Sequence, residues 1–375
     1  MARVSNAGAA ALAADYVDRL LVGTVRDVHR AVSRRTFGLT GSRGALARVA
    51  HDGISGTVYG LIGVGVRGAA TALRELDRRG RGGALEDRPA GRRVASVVNG
   101  LIGETLQESA HPMAIRMAAR VDGRDVAVSD AYPRATGDVV VFLHGLVEDD
   151  ESWLRDAELT GGTYAERLAR DTSWTPVTLR YNSGLRLVEN GRLLSAWLTD
   201  LLADWPVPVR RIAVVGHSMG GLVAHAATRV GAADDAPWTA LVRQVVCLGT
   251  PHLGAPLERA VHLGVRGLGA LPETRPFATI LDTRSPGILD LGVGDPDGVP
   301  LPATSYHCIS GTLPNPWGYL FGDLLVTRRS AAGRIAGSTS RHLTGVHHFR
   351  LLNHPEVYAD LRDLLHDPPP KETTR

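Results

Sequence analysis

The chain has 375 residues, of which 44% are hydrophobic and 22% charged, a composition that excludes the disordered and fibrous classes. Its net charge of +3 combines a basic part, with 18 arginines against 10 acidic residues in positions 1–120, and an acidic remainder. The sequence therefore predicts a globular protein whose two parts do different jobs.

Residues 1–112 are predicted to be a helical accessory segment, in which turns rich in glycine and arginine separate helices at 11–33, 54–77 and 94–110. Its clustered arginines could contact an acidic membrane surface, and a solvated helical face packed along the rest of the protein explains them equally well. Nucleic acid is not expected as a partner, because the basic residues are not interleaved with aromatic ones. Neither pattern indicates an oligomeric state.

One stretch of this segment, residues 54–73, has the length of a membrane span. It contains five glycines, and Arg67 lies past its middle, where a charge is costly at membrane depth. A helix packed on a neighbour or lying in an interface is therefore favoured. The N-terminus carries Asp15 and Asp18 and has no strong apolar core, which argues against a cleaved signal peptide. We expect a cytoplasmic protein, with peripheral membrane contact left open.

From residue 113 onward, short apolar runs alternate with helical patterns, which predicts a mostly parallel sheet covered by helices on both faces. A hairpin at 113–129 is predicted to come first, followed by buried strands at 138–145, 175–182, 210–218, 242–250 and 305–312. Predicted helices lie at 163–171, at 190–205 with Asn190 as the cap, at 219–231 and from Pro355 onward. The last residues, 368–375, are predicted to be a loose tail.

The two cysteines, Cys247 and Cys308, each fall within an apolar, strand-like run. Two cysteines in a chain of this length do not make a disulfide framework. Buried free thiols are therefore expected at both positions.

The sharpest chemical signal is the stretch "IAVVGHSMGGLVAHAA", in which a buried strand runs into Gly216-His217-Ser218-Met219-Gly220 and a helix follows at once. This combination predicts a nucleophile elbow, which would hold Ser218 in a strained turn at the carboxyl edge of the sheet. Side chains at Gly216 and Gly220 would collide with the neighbouring strand and helix. The elbow thus indicates nucleophilic catalysis by Ser218.

Acyl transfer by a serine also requires a base and hydrogen-bond donors for the developing oxyanion. The backbone N–H of Met219 is one expected donor. The backbone N–H of Leu146, in the loop after the strand "VVVFLHG", is the other candidate. His144 in that loop is expected to orient the turn, and a direct role is the alternative.

Several motifs occur together in one order: "FLHG", "GHSMGG", "GTPHLGAP", "GDLLV" and "HHFRLLNHP". Together they resemble an α/β-hydrolase of the serine lipase and esterase kind, similar to bacterial lipases and to GPI inositol-deacylase-like hydrolases. The resemblance covers about residues 113–367 and leaves residues 1–112 outside it. It implies the α/β-hydrolase fold, here with a cap insertion at about 251–300 and the N-terminal helical segment added.

In that fold the acid follows the serine and the histidine comes last. Asp323 is the predicted acid, because it follows the strand at 305–312 by a loop and lies in "GDLLV", which is similar to the acid motif of the family. His354 precedes Pro355 and is expected to start the last helix. The sequence alone leaves His347 and His348 open as the base. The resemblance implies His348, which stands directly before "FRLL".

These residues predict a hydrolase of carboxylic esters that have an apolar acyl group, lipid esters among them, acting through an acyl-enzyme without a metal or organic cofactor. The long insertion after the fourth buried strand is expected to be a cap or lid, with a pair of ordinary covering helices as the alternative. Its apolar residues available to line an acyl pocket are Leu253, Val261, Leu263, Val265, Leu268 and Leu271. An acyltransferase or amide hydrolase with the same triad, or a binding module on this fold, are the other interpretations.

Overall fold

The structure is a computed structural model that describes residues 84–254, 285–295, 300–313, 325–333 and 337–366, together with the isolated positions 5, 7–9, 11, 12, 68, 71, 74, 75, 323 and 335. Most of the predicted helices at 11–33 and 54–77, most of the cap insertion and the predicted tail lie outside the described residues. Among the described helices, none is both long and apolar enough to cross a membrane.

The described strands form one sheet with helices between them. The strands are β1 (Ala118–Val121), β2 (Arg124–Val126), β3 (Asp138–Leu143), β4 (Thr175–Arg180), β5 (Arg211–His217), β6 (Val242–Leu248), β7 (Ser305–Thr312) and β8 (Thr339–Thr344). The α-helices are α1 (Pro89–Glu108), α2 (Val128–Ala131), α3 (Ala157–Thr160), α4 (Tyr164–Asp171), α5 (Leu187–Asp204), α6 (Met219–Ala233), α7 (Pro286–Val293), α8 (Arg328–Ala331) and α9 (Pro355–Leu365). Short 3-10 helices cover Leu85–Asp87, Asp150–Leu154, Pro237–Leu241 and His348–Leu351.

The strand order in the sheet is β2-β1-β4-β3-β5-β6-β7-β8. The leading hairpin of β1 and β2 is antiparallel, and β1 also pairs antiparallel with β4. The other six strands, in the order β4, β3, β5, β6, β7 and β8, are parallel to one another. This sheet and its crossover helices are those of the α/β-hydrolase fold, as predicted, and they place the carboxyl ends of β3, β5, β6 and β7 along one edge.

The sheet is covered on both faces, which explains why its strands are apolar without alternation. All six residues of β3 are buried. One face packs against α5 and α6, where Leu194, Leu198 and Leu222 are fully buried. The other face packs against α4 and α9, where Leu168 and Leu361 are fully buried. Burial of side chains of this size contributes roughly 1.5–3 kcal/mol each.

The chain divides into two compact units, one of residues 1–95 with 259–284 and one of residues 96–258 with 285–375. The larger part of α1 therefore belongs to the unit that contains the sheet, whereas the predicted accessory segment extends to residue 112. The buried side chain of Asn99 is one link between α1 and the segment that leads into the sheet. Its Nδ2 donates to the carbonyl of Met113 at 2.7 Å, and its Oδ1 accepts from the N–H of Ile115 at 2.9 Å.

Two local features differ from the sequence expectations. Asn190 does not cap α5, which begins three residues earlier at Leu187. The Asn190 side chain is buried and donates to the carbonyl of Asn182 at 2.9 Å, a tertiary contact that competes with local capping. Strand β8 was not expected, because its residues are mostly polar and exposed, as suits the edge of a sheet.

Candidate active site

Ser218 lies in a strained turn between β5 and α6, as the elbow motif predicts. Its φ of 52° and ψ of −120° are rare for a residue with a side chain, and α6 begins at the next residue, Met219. The Ser218 N–H donates to the carbonyl of Leu248 at the end of β6, at 2.8 Å. Ser218 is half-buried and lies at the carboxyl edge of the sheet.

The glycines on either side of Ser218 have the steric role that the sequence predicts. A Cβ at Gly216 would lie 2.4 Å from the backbone nitrogen of Gly221 in α6. A Cβ at Gly220 would lie 2.4 Å from the carbonyl oxygen of Leu143 at the end of β3. Because no real Cβ approaches backbone so closely, only glycine allows α6 to start against β3 and β5.

Asp323 and His348 form a buried contact near this edge. The Nδ1 of His348 lies 2.7 Å from Oδ2 of Asp323, and both residues are 1% exposed. The other carboxylate oxygen accepts hydrogen bonds from the N–H groups of Leu325 and Val326 at 3.0 and 2.8 Å. The backbone N–H of His348 also donates to the carbonyl of Asp323 at 3.0 Å. Both loops are therefore held in place by main chain as well as by side chains.

The His348 ring is oriented by this carboxylate. A carboxylate accepts hydrogen bonds only, so Nδ1 carries the proton in the neutral ring and Nε2 is left as an acceptor. The ring packs against Gly249, whose φ is +61° and whose added Cβ would lie 3.1 Å from its Nδ1. Gly249 follows the residue that accepts the Ser218 N–H. The imidazole therefore lies beside the strand end next to Ser218, whose hydroxyl makes no hydrogen bond among the described residues.

The loop after β3 leaves one backbone donor without an acceptor. The N–H of Gly145 donates to Oε2 of Glu148 at 2.7 Å, and that of Val147 donates to Oγ of Ser183 at 3.1 Å. Within the described residues, neither Leu146 nor Met219, at the start of α6, has an acceptor for its backbone N–H. Both predicted oxyanion donors are thus backbone amides without an acceptor among the described residues.

His144 is fully buried at the turn after β3. The N–H of Tyr181 donates to its Nε2 at 3.2 Å, so Nδ1 carries the proton and donates to the carbonyl of Gly145 at 2.8 Å. The Tyr181 hydroxyl donates to the His144 carbonyl at 2.6 Å, and the two rings stack with centroids 4.2 Å apart. These contacts are those of a residue that orients the loop.

His217 and Glu148 form a buried ion pair beneath the elbow, which the sequence analysis did not single out. Nδ1 of His217 lies 2.9 Å from Oε2 of Glu148, and its Nε2 lies 3.3 Å from the carbonyl oxygen of His348. Both ring nitrogens face acceptors, so both must carry protons to be satisfied. Burial alone lowers the pKa of His217, but Glu148 outweighs it and raises that pKa. Burial opposes ionisation of Glu148, yet His217 brings the pKa of the carboxyl down to about 2.

This pair joins three parts of the candidate site. Oε2 of Glu148 also accepts the N–H of Gly145, while His217 precedes Ser218 and contacts the backbone of His348. The rings of His217 and His348 lie 4.8 Å apart. The pair is a positioning device for the loop after β3 and for the His348 loop. Glu148 is the first of four consecutive acidic residues, Glu148 to Glu151, so the sequence has no signal that sets it apart.

Helix α1 supports the same loop at a strained position. Val147, a β-branched residue, has a φ of 56°, a conformation that such residues rarely adopt. A Cβ at Gly100 of α1 would lie 2.4 Å from Cγ1 of Val147, so the helix backbone packs directly on this side chain. The carbonyl of Gly103 likewise accepts a hydrogen bond from Asn182 at 3.0 Å. Part of the predicted accessory segment thus holds the candidate oxyanion loop.

The remaining predicted positions have other surroundings. His354 is the N-cap of α9, where its Nδ1 accepts from the N–H of Glu356 at 3.3 Å, so the prediction of a helix-start residue is confirmed. His347 precedes the 3-10 helix that His348 begins, without a side-chain capping bond. Asp295, another acidic residue that follows Ser218 in the chain, pairs with Arg229 at 2.7 Å.

Glu148→Gln is expected to lower the free energy of unfolding by roughly 3 kcal/mol, the value of the pKa shift of Glu148 at 1.36 kcal/mol per unit. The Glu148 carboxylate contributes its full share of the stability above pH 4.5, the usual pKa of glutamate. This contribution is lost as the pH falls toward about 2, the pKa of Glu148 in the folded protein. Protonated His217 contributes its full share of the stability below pH 6.5, the usual pKa of histidine. This contribution is lost as the pH rises through the raised pKa that His217 has in the folded protein. The difference from the unsubstituted protein should therefore be largest between about pH 4.5 and 6.5.

Urea unfolding at a series of pH values measures this difference. Glu158→Gln, a change at an exposed position in α3, is the matched control and should leave the stability unchanged at every pH. A stability profile of Glu148→Gln that runs parallel to that of the unsubstituted protein would show that the ion pair does not contribute.

Comparisons with known proteins were made for the sequence and the fold. The family model described as the PGAP1-like alpha/beta domain matches residues 193–264, which include the elbow. Among curated proteins the sequence has no significant match.

Similar solved structures include the mature Bacillus licheniformis lipase BlEst2, at 20% identity and a TM-score of 0.47 over 67% of this chain and 97% of the lipase. The RedJ thioesterase of Streptomyces coelicolor is 21% identical, with a TM-score of 0.38 over 65% of this chain and 98% of the thioesterase. The Pyrococcus furiosus esterase PF2001 is 17% identical, with a TM-score of 0.37 over 62% and 82%.

The sheet order and the elbow define the class: the protein has the α/β-hydrolase fold. Within that class, the part of its sequence that carries Ser218 is similar to the PGAP1-like alpha/beta domain.

Proposed function

We propose that the protein is a serine hydrolase that cleaves carboxylic esters with an apolar acyl group through an acyl-enzyme intermediate. In this proposal Ser218 is the nucleophile, His348 the general base and Asp323 the carboxylate that orients it. The observation that carries the proposal is the 2.7 Å contact between His348 Nδ1 and Asp323 Oδ2, buried beside a strained serine elbow.

In the acylation step, Oγ of Ser218 attacks the ester carbonyl while Nε2 of His348 accepts the hydroxyl proton. The bond to Asp323 supports this role, because it keeps the proton on Nδ1 and the lone pair on Nε2. The same carboxylate stabilises the imidazolium that forms. The imidazolium then gives its proton to the departing alcohol, which leaves Ser218 acylated.

The negative charge on the carbonyl oxygen of the tetrahedral intermediate needs donors that are already in position. The unpaired N–H groups of Leu146 and Met219 support their assignment to this role. Loss of one such donor typically slows catalysis 10²–10³-fold. Glu148 contributes indirectly, because it holds the N–H of Gly145 and thereby the loop that carries Leu146.

In the deacylation step, His348 accepts a proton from a water molecule that attacks the acyl-enzyme, and Ser218 leaves with that proton restored. Every proton transfer in this cycle runs through Ser218, His348, the departing alcohol or water, so the cycle requires no cofactor. The apolar residues of the 251–300 insertion, a property of its sequence, support an apolar acyl group. A cytoplasmic location, and lipid-surface contact through residues 1–112, are part of the same proposal.

A panel of p-nitrophenyl esters from acetate to palmitate tests this function. We expect saturable hydrolysis, with kcat/KM rising from the shortest acyl chain to longer ones because each buried methylene contributes about 0.8 kcal/mol of binding. Ser218→Ala is the matched control for the background reaction. Hydrolysis of every ester at the rate of that control would rule out the proposed activity, and a preference for acetate would rule out the apolar acyl pocket.

A further inference from the structure

Four side chains of the types that bind transition metals lie together on the face of the sheet that α5 and α6 cover. Cys247 on β6 and Cys308 on β7 are register partners, so their side chains point to the same face. His225 projects from α6, and His252 lies in the loop after β6. None of these residues has a role in the proposed hydrolysis, and each is at most 3% exposed.

Two distances within this cluster are those expected between ligands of a tetrahedral zinc site. Cys247 Sγ lies 3.4 Å from Nε2 of His225, and Cys308 Sγ lies 3.6 Å from Nε2 of His252. Sulfur and nitrogen ligands bound to zinc at about 2.3 and 2.05 Å in tetrahedral geometry are about 3.5 Å apart. The ligand atoms of His225, Cys247 and His252 all lie within 4.8 Å of one another. Cys308, which is the register partner of Cys247 and contacts His252, is the candidate for the fourth ligand.

The charge balance of such a site suits the protein interior. Two thiolates and two neutral imidazoles carry two negative charges, which a divalent ion cancels. A buried thiolate needs a nearby cation, and a bound divalent ion would supply it. Thiolate and imidazole ligands in tetrahedral geometry select zinc over magnesium and calcium, which take oxygen ligands.

The surroundings of His252 point the same way. Among the described residues, the ring of His252 makes one hydrogen bond, between its Nε2 and Cys308 Sγ, so this nitrogen is the one that faces the cluster. Gly333, with φ of +67°, lets the backbone close over the cluster, because a Cβ there would lie 3.2 Å from Cys308 Sγ.

We propose that His225, Cys247, His252 and Cys308 bind one zinc ion with a structural role. The four protein ligands would close the coordination sphere, as in structural rather than catalytic zinc sites. The ion would tie α6, which starts at the elbow, to β6, β7 and the loop after β6. Zinc binding would therefore stabilise the helix that carries Ser218 at its start, without a step in the ester chemistry.

Metal analysis of the full-length protein, purified under reducing conditions without a histidine tag, tests the site. We expect about one zinc per chain, and its loss in Cys247→Ser and in His225→Gln. Cobalt added to the metal-depleted protein should give the visible bands of tetrahedral cobalt and a thiolate charge-transfer band. The intensity of the charge-transfer band should fall to about half in Cys308→Ser, because one of two thiolates is lost.

Two further variants separate ligation from folding. His252→Cys keeps a ligand and should retain zinc, whereas His252→Gln should lose it. His307→Gln is the matched control, because His307 neighbours Cys308 on β7 but hydrogen-bonds to Thr339 and Gln244 instead. Chelation should lower the melting temperature of the unsubstituted protein and leave that of Cys247→Ser unchanged.

Three results would overturn the zinc site. The first is that the protein neither contains zinc nor binds cobalt. The second is that substitution of any of the four ligands leaves the zinc content unchanged. The third is that Cys247 and Cys308 form a disulfide instead of remaining free thiols.

Discussion

Ser218→Ala is expected to lower kcat/KM for ester hydrolysis on the order of 10⁴–10⁶-fold, because no other group in the proposed site can form the acyl-enzyme. Stability should change little, since alanine keeps a side chain at the same strained φ of 52° and the hydroxyl has no hydrogen bond among the described residues. Steady-state kinetics on the best ester of the panel, with the melting temperature measured alongside, gives both values.

Ser340→Ala, at an exposed position of β8, is the control for the effect of a serine substitution and should retain full activity. Turnover by Ser218→Ala at more than a tenth of the normal rate would mean that another nucleophile does the chemistry. A large fall in its melting temperature would mean that the lost activity reports unfolding.

His348→Ala is expected to lower kcat/KM on the order of 10⁴-fold or more, while His347→Ala should retain activity within a few-fold. The two neighbours differ in their contacts. His348 is 1% exposed and contacts the Asp323 carboxylate, whereas His347 is half-buried and makes no capping bond at the start of its 3-10 helix. The paired variants in the same ester assay, with circular dichroism to verify folding, make this comparison.

Equal losses in the two variants would assign the effect to the loop rather than to a base. The reverse pattern, with His347→Ala inactive and His348→Ala active, would overturn the assignment of the base.

Asp323→Asn separates kcat from KM, a comparison that a purely structural role of Asp323 would not explain. Because an amide can donate to Nδ1, it should favour the wrong tautomer of His348 and lower kcat with little change in KM.

The fold was predictable because its buried strands are continuous apolar runs and its elbow has a motif with a steric cause. The five predicted buried strands appear as β3 to β7 with ends shifted by at most two residues. The collision that Gly216 and Gly220 avoid follows from the motif alone, as does the strained φ of Ser218. Local sequence patterns are sufficient to predict an element where residue propensity, hydrophobic pattern and packing all favour the same structure.

Contacts between distant segments were not predictable in this way. The ion pair of Glu148 and His217 joins residues 69 positions apart, and His217 occupies a position of the elbow motif that the motif leaves variable. The packing of Gly100 on Val147 likewise crosses from α1 to the loop after β3. Strand β8 lacks the apolar run that marks the others, because it lies at the sheet edge. Tertiary proximity sets all three features, and a single sequence carries only weak signals of it.

The choice between the histidines shows how much chemistry a local pattern contains. The sequence separates His354 from the others, because the residue before a proline is excluded from helical conformation. The sequence does not distinguish His347 from His348 as the base, because the two are neighbours in the same loop. The resemblance to the hydrolase family implied His348. The structure adds the buried contact with Asp323, which supports the same residue.

Labelling of the full-length protein with a fluorophosphonate, followed by mass-spectrometric mapping of the modified peptide, tests the central claim most directly. The account predicts a stoichiometric adduct on Ser218, loss of ester hydrolysis in proportion to labelling, and no adduct in Ser218→Ala. An unlabelled Ser218 in protein that still hydrolyses esters, or an adduct on another residue that tracks the loss of activity, would contradict it.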